Sequence, residues 1–300
     1  MGIIFVVIMA IPLTLVPPVT EPINQGLSNL NSINYNLPNL NSTNSTNVKR
    51  WVQVSENIEG RIETLYLPYD DFLFNVEYDK DEQNQVTGVH ISLKPEFTDL
   101  YNQIGFFNKP SDTIIVYPIF TQEAYGQNGF YDYYNKKCDV HCLTVNILTQ
   151  ISPIYQSSLR SYLIFKLLNY DMVTDIDVDK NPNMIKKYNK VIVLHNEYVT
   201  QREFDAITAH PHVIYLYPNA LYAKVQTDYD KNTFTLIRGH GYPDANIANG
   251  FDWKFDNSKY EYDIACNNWK FYKVNNGEML NCWPSFRMEL DESLLRAISQ

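Results

Sequence analysis

The chain has 300 residues and a hydrophobic content of 45%, which suffices for one large domain or two small ones with a hydrophobic core. Its net charge of −10 argues against nucleic acid as a partner, because no cluster of Lys and Arg provides the positive surface that phosphate binding needs. The 23 tyrosines outnumber the 15 phenylalanines. Tyrosine joins an apolar ring to a polar hydroxyl, so it suits polar clefts as well as exposed sheet faces.

The N-terminus begins with a mostly apolar stretch, IIFVVIMAIPLTLV, at residues 3–16. At about 14 residues it is shorter than the roughly 20 that a membrane-spanning helix needs, and it matches the apolar core of a signal peptide. A basic n-region and an A-x-A-like cleavage site are missing. Residues 1–20 are therefore predicted to be either a signal peptide or an uncleaved membrane anchor. Both alternatives place the protein outside the cytoplasm, secreted or anchored at the cell surface, with membrane contact only through this segment.

Residues 21–47 are rich in Asn, Ser and Pro and nearly free of charge. Such a segment buries too little apolar surface to offset the entropy of ordering, so it is predicted to be a disordered linker. Two glycosylation acceptors, at Asn41 and Asn44, lie within it. The remaining residues, 48–300, are predicted to form one domain with a core at about 112–241 and a C-terminal extension at 242–300.

The four cysteines form two sets: Cys138 with Cys142, and Cys266 with Cys282. Four cysteines allow three pairings, and the pairing of neighbours is predicted here. A zinc site is the alternative, but Cys-x3-Cys with only His141 between matches zinc spacing poorly. Two disulfides fit an oxidising compartment better.

The order of elements predicts an α/β fold. The predicted strands are ETLYLPY (63–69), GVHISLK (88–94), TIIVYPIF (113–120), DMVTDI (171–176), KVIVL (190–194) and HVIYLY (212–217). The predicted helices are 154–168, 182–188 and 200–209, the last with a capping box formed by Thr200 and Glu203. Strands and helices alternating at short spacing predict a mostly parallel sheet with helices on both faces, a three-layer sandwich. The aromatic WKFYKV segment and the helix DESLLRAI at the C-terminus are predicted to pack on the sheet edge as structural elements.

Polar side chains follow three of these strands. Tyr125 and Tyr131 follow the first buried strand, His195 and Glu197 follow KVIVL, and Asn219 follows HVIYLY. In parallel sheets, ligands bind beyond the carboxyl ends of the strands. These residues are therefore the first candidates for a functional site.

Four segments between residues 112 and 241 carry a resemblance to a known family. They are PIFTQEAYGQNGFYDY (118–133), the strand ending in His-Asn-Glu-Tyr (195–198), the Asn-Ala-Leu-Tyr step (219–222) and NTFTLIRGHG (232–241). Together they resemble the large subunit of N,N-dimethylformamidase. The resemblance implies a class I glutamine-amidotransferase-like fold, related to flavodoxin. The chain departs from the family at His210-Pro211, which replaces a glycine-containing turn, and at Gln122-Glu123, where the family has an aromatic residue.

In that family two tyrosines and one glutamate hold a single iron ion, with a His and an Asn close by. Carried over to this sequence, the resemblance implies Glu197, Tyr125 and Tyr131 as iron ligands, Tyr134 as the alternative second tyrosine, and His195 and Asn219 as catalytic neighbours. Phenolates and a carboxylate are hard anionic donors that suit ferric iron. The ion would act as a Lewis acid on an amide carbonyl, and His195 would move protons.

The resemblance thus implies an exported, metal-dependent hydrolase that cleaves a small amide or another C–N bond. The alternative is a catalytically inactive surface protein that binds a ligand or partner through the same cleft. A glutamine-amidotransferase mechanism fits the sequence less well, because the turn that would carry the nucleophilic cysteine reads His-Asn-Glu and all four cysteines lie elsewhere. The RGHGYP segment (238–243) is either a loop at the site to which His240 contributes or only a tight turn.

Overall fold

The structure is a computed structural model. It describes residues 51–58, 61–83, 86–153, 155–253, 255, 257 and 264–300. The predicted export segment, the linker and both glycosylation acceptors lie outside the described residues.

The described residues form strands and helices in alternation. The strands are β1 (Trp51–Ile58), β2 (Arg61–Pro68), β3 (Phe74–Lys80), β4 (Val86–Leu93), β5 (Thr113–Tyr117), β6 (Thr144–Asn146), β7 (Asp171–Thr174), β8 (Lys190–Val193), β9 (Tyr198–Val199), β10 (Val213–Tyr215), β11 (Ala223–Asp228), β12 (Thr233–Arg238), β13 (Phe271–Val274) and β14 (Gly277–Leu280). The α-helices are α1 (Thr98–Ile104), α2 (Ile119–Ala124), α3 (Phe130–Tyr134), α4 (Gln156–Leu167), α5 (Asp175–Lys180), α6 (Gln201–Ala209) and α7 (Glu292–Ser299). Short 3-10 helices include Pro182–Lys187 and Ser285–Glu289.

The main sheet has six strands in the order β13-β14-β10-β8-β5-β7. The five strands from β14 to β7 run parallel, and β13 is antiparallel to β14 at the edge. The prediction of a mixed α/β fold with a mostly parallel sheet is confirmed.

Helices pack on both faces of this sheet, because successive strand residues point to opposite sides. Ile115 is opposite Ile192, which in turn is opposite Ile214, and this row packs in one apolar cluster with α4 and α7. The adjacent row, which includes Val116 and Val193, packs in a second cluster with α5 and α6. Fully burying one such side chain contributes about 1.5–3 kcal/mol, so the two rows fix the register of the central strands.

A second sheet of four strands has the order β6-β12-β11-β9. Its strand β9 begins only five residues after β8 ends, and it pairs in parallel with β11. This short connection brings the second sheet to the carboxyl ends of the main sheet. Two further hairpins, β1-β2 and β3-β4, precede the α/β region.

Three predicted strands are shorter than the sequence suggested, and the one predicted over HVIYLY spans only Val213–Tyr215. The strand predicted over TIIVYPIF ends at Tyr117, and Pro118 precedes α2. The buried carboxyl group of Asp175 accepts a hydrogen bond of 2.8 Å from the backbone N–H of Phe120, which stabilises the first turn of α2. The strand predicted over DMVTDI ends at Thr174, because Thr174 and Asp177 form a capping box that starts α5.

Other local predictions are confirmed. Thr200 and Glu203 form the predicted capping box of α6. The C-terminal segment does more than pack on the sheet edge, since it supplies two strands, β13 and β14, to the sheet itself. The strand predicted over GVHISLK overlaps β4, and the NTFTLIRGHG segment of the resemblance contains β12.

The cysteines pair as predicted, Cys138 with Cys142 and Cys266 with Cys282. The two disulfides are compatible with a location outside the cytoplasm. In the part of the chain that the structure describes, every helix is too short or too polar to cross a bilayer.

Three carboxyl groups are buried together where α5 meets α6: those of Asp175, Asp179 and Glu203. The Thr200 hydroxyl donates to Asp179 at 2.6 Å, and the Thr200 backbone N–H donates to Glu203 at 2.8 Å. Burial, and then the charges of the neighbouring carboxylates, raise the pKa of Glu203 well above its ordinary value, and the pKa of Asp175 is raised in the same way. The folded protein therefore holds protons here that the unfolded chain releases.

We predict that Glu203→Gln reduces the loss of stability with rising pH. The folded-state pKa of Glu203 is raised, so its contribution to the free energy of unfolding is present below the ordinary carboxyl pKa. That contribution is lost as pH rises above the ordinary carboxyl pKa, by up to about 1.4 kcal/mol per pH unit for one proton. Glutamine keeps the capping box but removes the charge. The free energy of unfolding, measured with urea at pH 5 and at pH 8, should differ less between the two pH values for the variant than for the wild type. Equal differences in the two proteins would contradict this assignment.

Candidate functional site

The candidate site lies where the connections after the neighbouring strands β5 and β8 leave in opposite directions, from β5 towards β7 and from β8 towards β10. β5 pairs with β7 on one side and with β8 on the other. In open parallel sheets such a reversal of strand order leaves a crevice at the carboxyl ends of the two strands. Tyr125 follows β5, Glu197 follows β8 and Asn219 follows β10, so all three lie at this end of the sheet.

The contact at the centre of the site joins the ends of β5 and β8. Tyr125 donates a hydrogen bond of 2.8 Å from its hydroxyl to Oε2 of Glu197, whose side chain is fully buried. Burial, and then the carboxylate of Glu197, raise the pKa of Tyr125 well above its ordinary value. The ring of Tyr131 lies 4.2 Å from the ring of Tyr125, centroid to centroid. The structure thus brings Tyr125, Tyr131 and Glu197 together.

His195 lies beside Glu197, with its Nε2 atom 3.5 Å from Oε2 of the carboxyl group. The side-chain amide of Asn219 donates to Nε2 at 3.0 Å, and the hydroxyls of Tyr155 and Ser157 lie 2.8 and 2.7 Å from Nδ1. Burial lowers the pKa of His195 to about 3, so the ring is neutral. With Nε2 accepting from Asn219, the ring proton resides on Nδ1, where a hydroxyl oxygen accepts it.

Two aromatic side chains enclose His195. Tyr217 stacks on the imidazole with a centroid distance of 4.8 Å, and Trp283 meets it edge-on at 4.4 Å. Tyr217 also donates a hydrogen bond to the carbonyl of Ser157. Trp283 follows Cys282, the second cysteine of the C-terminal disulfide. The C-terminal extension, which the sequence predicted to be structural, therefore forms part of the wall around His195.

The RGHGYP segment reaches the opposite side of Glu197. Nδ1 of His240 lies 3.7 Å from Oε1 of the Glu197 carboxyl group. His240 has a φ of 53°, between Gly239 at 110° and Gly241 at 73°. A residue with a Cβ atom in this left-handed region costs about 1–2 kcal/mol, so the surrounding loop must hold it there.

The two alternative second tyrosines take different positions. Tyr131 is buried and neighbours Tyr125, whereas Tyr134 packs edge-on against His240 at 4.3 Å. The rings of Tyr131 and Tyr134 are 5.9 Å apart. Of the two, Tyr131 is the tyrosine whose ring lies against that of Tyr125.

The sequence reasoning missed four residues of the site: Tyr155, Ser157, Tyr217 and Trp283. A usable signal existed for Tyr217, which ends the HVIYLY segment two residues before Asn219. For Tyr155 and Ser157, at the start of the helix predicted over residues 154–168, and for Trp283, no local pattern indicated contact with His195.

Two phenols and a carboxyl group are oxygen donors of the kind that a hard cation prefers. Two oxygen ligands, each about 2.1 Å from one ion, are about 3.0 Å apart at a right angle, close to the 2.8 Å between Tyr125 and Glu197. Among the described residues, no three His, Cys, Asp or Glu side chains are grouped to hold a metal ion. Tyrosine is not one of these four residue types.

Comparison with known proteins gives no family assignment: no protein-family model matches the chain, and no curated protein matches it. The resemblance to the N,N-dimethylformamidase large subunit therefore stays a prediction.

We predict that removing the C-terminal disulfide disturbs the site more than removing the other one. The double variant Cys266→Ala/Cys282→Ala opens a loop with a sequence separation of 16 and should lose about 3 kcal/mol of stability, against about 2 kcal/mol for Cys138→Ala/Cys142→Ala, with a separation of 4. Only the first change should release Trp283 from His195. Trp283 emission, measured as the difference from a Trp283→Phe counterpart, should shift to longer wavelength in that variant alone. Equal shifts in both variants would contradict the role of the Cys266–Cys282 bridge.

Proposed function

We propose that the protein is a metal-dependent hydrolase that binds one iron(III) ion through Tyr125, Tyr131 and Glu197 and cleaves a small amide or another C–N bond. The observation that carries the proposal is the 2.8 Å contact between the Tyr125 hydroxyl and the buried carboxyl group of Glu197. Two hard oxygen donors at ligand spacing, with a third phenol beside them, suit a hard trivalent cation. This ligand set is the one that the resemblance described above implies.

Bound iron would supply Lewis-acid chemistry, polarising a carbonyl oxygen and lowering the pKa of a coordinated water. The protein's own groups would do the rest. Asn219 and the two hydroxyls at Nδ1 fix the orientation of His195, whose Nε2 atom faces Glu197. From that position Nε2 would give up the Asn219 hydrogen bond to accept a proton from the attacking water, and would then pass that proton to the departing amine.

The enclosure of the site would limit the substrate. His195, Glu197 and Asn219 are fully buried, and Tyr217 and Trp283 close the side of His195. A buried site of this kind excludes bulk water and favours a small, mostly apolar substrate over a peptide.

The second candidate function is a binding protein without catalytic activity. One observation favours it: Tyr125 and Glu197 satisfy each other by a direct hydrogen bond, and burial raises the pKa of Tyr125, which keeps its hydroxyl protonated. A closed polar network can stabilise the junction between β5 and β8 without any ion. The two candidates differ in whether the cluster binds iron.

We predict that the purified full-length chain binds one iron ion with a visible tyrosinate-to-iron absorption band and hydrolyses small N-alkyl amides. Glu197→Gln should lose the band and the bound iron, because an amide oxygen is neutral and cannot replace an anionic ligand. Metal analysis and absorption spectroscopy measure the binding, and release of free amine measures hydrolysis.

Glu203→Gln is the matched control, since it makes the same change at a buried glutamate outside the site. It should keep both iron and activity. The absence of iron from the wild-type protein after reconstitution would contradict the proposal and favour the binding protein, and bound iron without hydrolysis of any amide would contradict the hydrolase activity.

A further inference from the structure

The loop that carries His240 is held in place by several backbone contacts. Gly239 and Tyr242 form an isolated β-bridge, and the N–H of His240 donates to the carbonyl of Ala248 at 2.8 Å. The N–H of Gly241 donates to the carbonyl of Ile247 at 2.7 Å. These contacts stabilise a left-handed conformation at His240 that a residue with a Cβ atom otherwise avoids. Backbone conformations of this kind concentrate at functional sites.

The loop places the His240 ring inside the tyrosine cluster. Its centroid lies 4.3 Å from that of Tyr134, 5.5 Å from that of Tyr131 and 6.3 Å from that of Tyr198. The side chain is 7% exposed. Tyr131 thus lies between Tyr125 and His240. Both Tyr125 and His240 approach Glu197.

The distances around Glu197 correspond to those between ligands of one ion. Tyr125 is 2.8 Å from Oε2, and Nδ1 of His240 is 3.7 Å from Oε1, so the two side chains approach different oxygens of the same carboxyl group. Two donor atoms, each about 2.1 Å from one ion, are about 3.0 Å apart at a right angle and about 3.6 Å apart at 120°. Both observed separations agree with a shared ion.

We propose that His240 is a fourth protein ligand of the metal site, binding the ion through Nδ1 and making the ligand set two tyrosines, one glutamate and one histidine. This inference rests on the proposed function, because it concerns the same ion. A neutral imidazole beside three anionic oxygens is a common donor for iron and complements their charge.

His195 is the rival histidine, and its contacts give it a different role. Its Nε2 atom accepts a hydrogen bond from Asn219, and its Nδ1 atom contacts the hydroxyls of Tyr155 and Ser157. Both ring nitrogens are therefore engaged by the protein. His195 is a neighbour of the ion that orients reacting groups, and His240 is the ligand.

The test is pulsed electron paramagnetic resonance of the iron(III)-loaded full-length chain, prepared with and without ¹⁵N-labelled histidine. The wild-type protein should give a coupling to a directly bound nitrogen that changes with the label. His240→Asn should abolish this coupling and weaken iron binding by at least about tenfold. Asparagine adopts the left-handed conformation readily, so the variant keeps the loop.

Two controls separate ligand loss from other effects. His195→Gln should keep the coupling, and so should His90→Ala, which changes an exposed histidine in the β3-β4 hairpin. Iron with a tyrosinate band but without a coupling that depends on His240 would overturn this inference and leave the proposed function intact. Absence of iron from the wild-type chain would overturn both.

Discussion

The carboxyl group of Glu197 is the constraint on which the site depends. A carboxylate taken out of water is stable only where polar groups or cations are held close to it. Tyr125 donates to one of its oxygens, and His195 and His240 approach it from two sides. These groups come from separate strand ends and a distant loop, so the burial of one carboxyl group links the main sheet, the second sheet and the His240 loop.

The ends of the parallel strands bring the polar groups that the buried Glu197 carboxyl group needs. The register between β5 and β8 places Tyr125 and Glu197 at the same edge, and β9 then starts the second sheet directly after Glu197. The C-terminal strands widen the main sheet, and the Cys266–Cys282 bridge precedes Trp283 at the site. A region that the sequence marked as peripheral thereby becomes part of the enclosure of His195.

Much of the central sheet could be predicted from the sequence, because its signals are local. Continuous apolar runs mark β5 and β8, and the Thr200–Glu203 capping box marks the start of α6. The predicted end of β5 was wrong. A continuous apolar run looks the same in a buried strand and in the buried helix α2 that follows it. The stabilising contact there comes from Asp175, 55 residues further along the chain.

The residues of the candidate site also include some that the sequence predicts and some that it does not. Residues directly after strands, such as Tyr125, Glu197 and Asn219, follow from the rule about carboxyl ends of parallel strands. Tyr155, Ser157 and Trp283 could not be found, because only the packing of α4 and the C-terminal extension brings them to His195. The sequence thus indicated the residues that follow the strands but not the groups that distant elements bring to them.

The most direct test of the account is a crystal structure of the iron-loaded chain with anomalous data recorded at the iron absorption edge. The account predicts one anomalous peak within about 2.3 Å of the Tyr125 hydroxyl, the Tyr131 hydroxyl and the Glu197 carboxyl group, with the Tyr125–Glu197 hydrogen bond replaced by bonds to the ion. A peak elsewhere, or an intact Tyr125–Glu197 hydrogen bond with no peak beside it, would contradict the account.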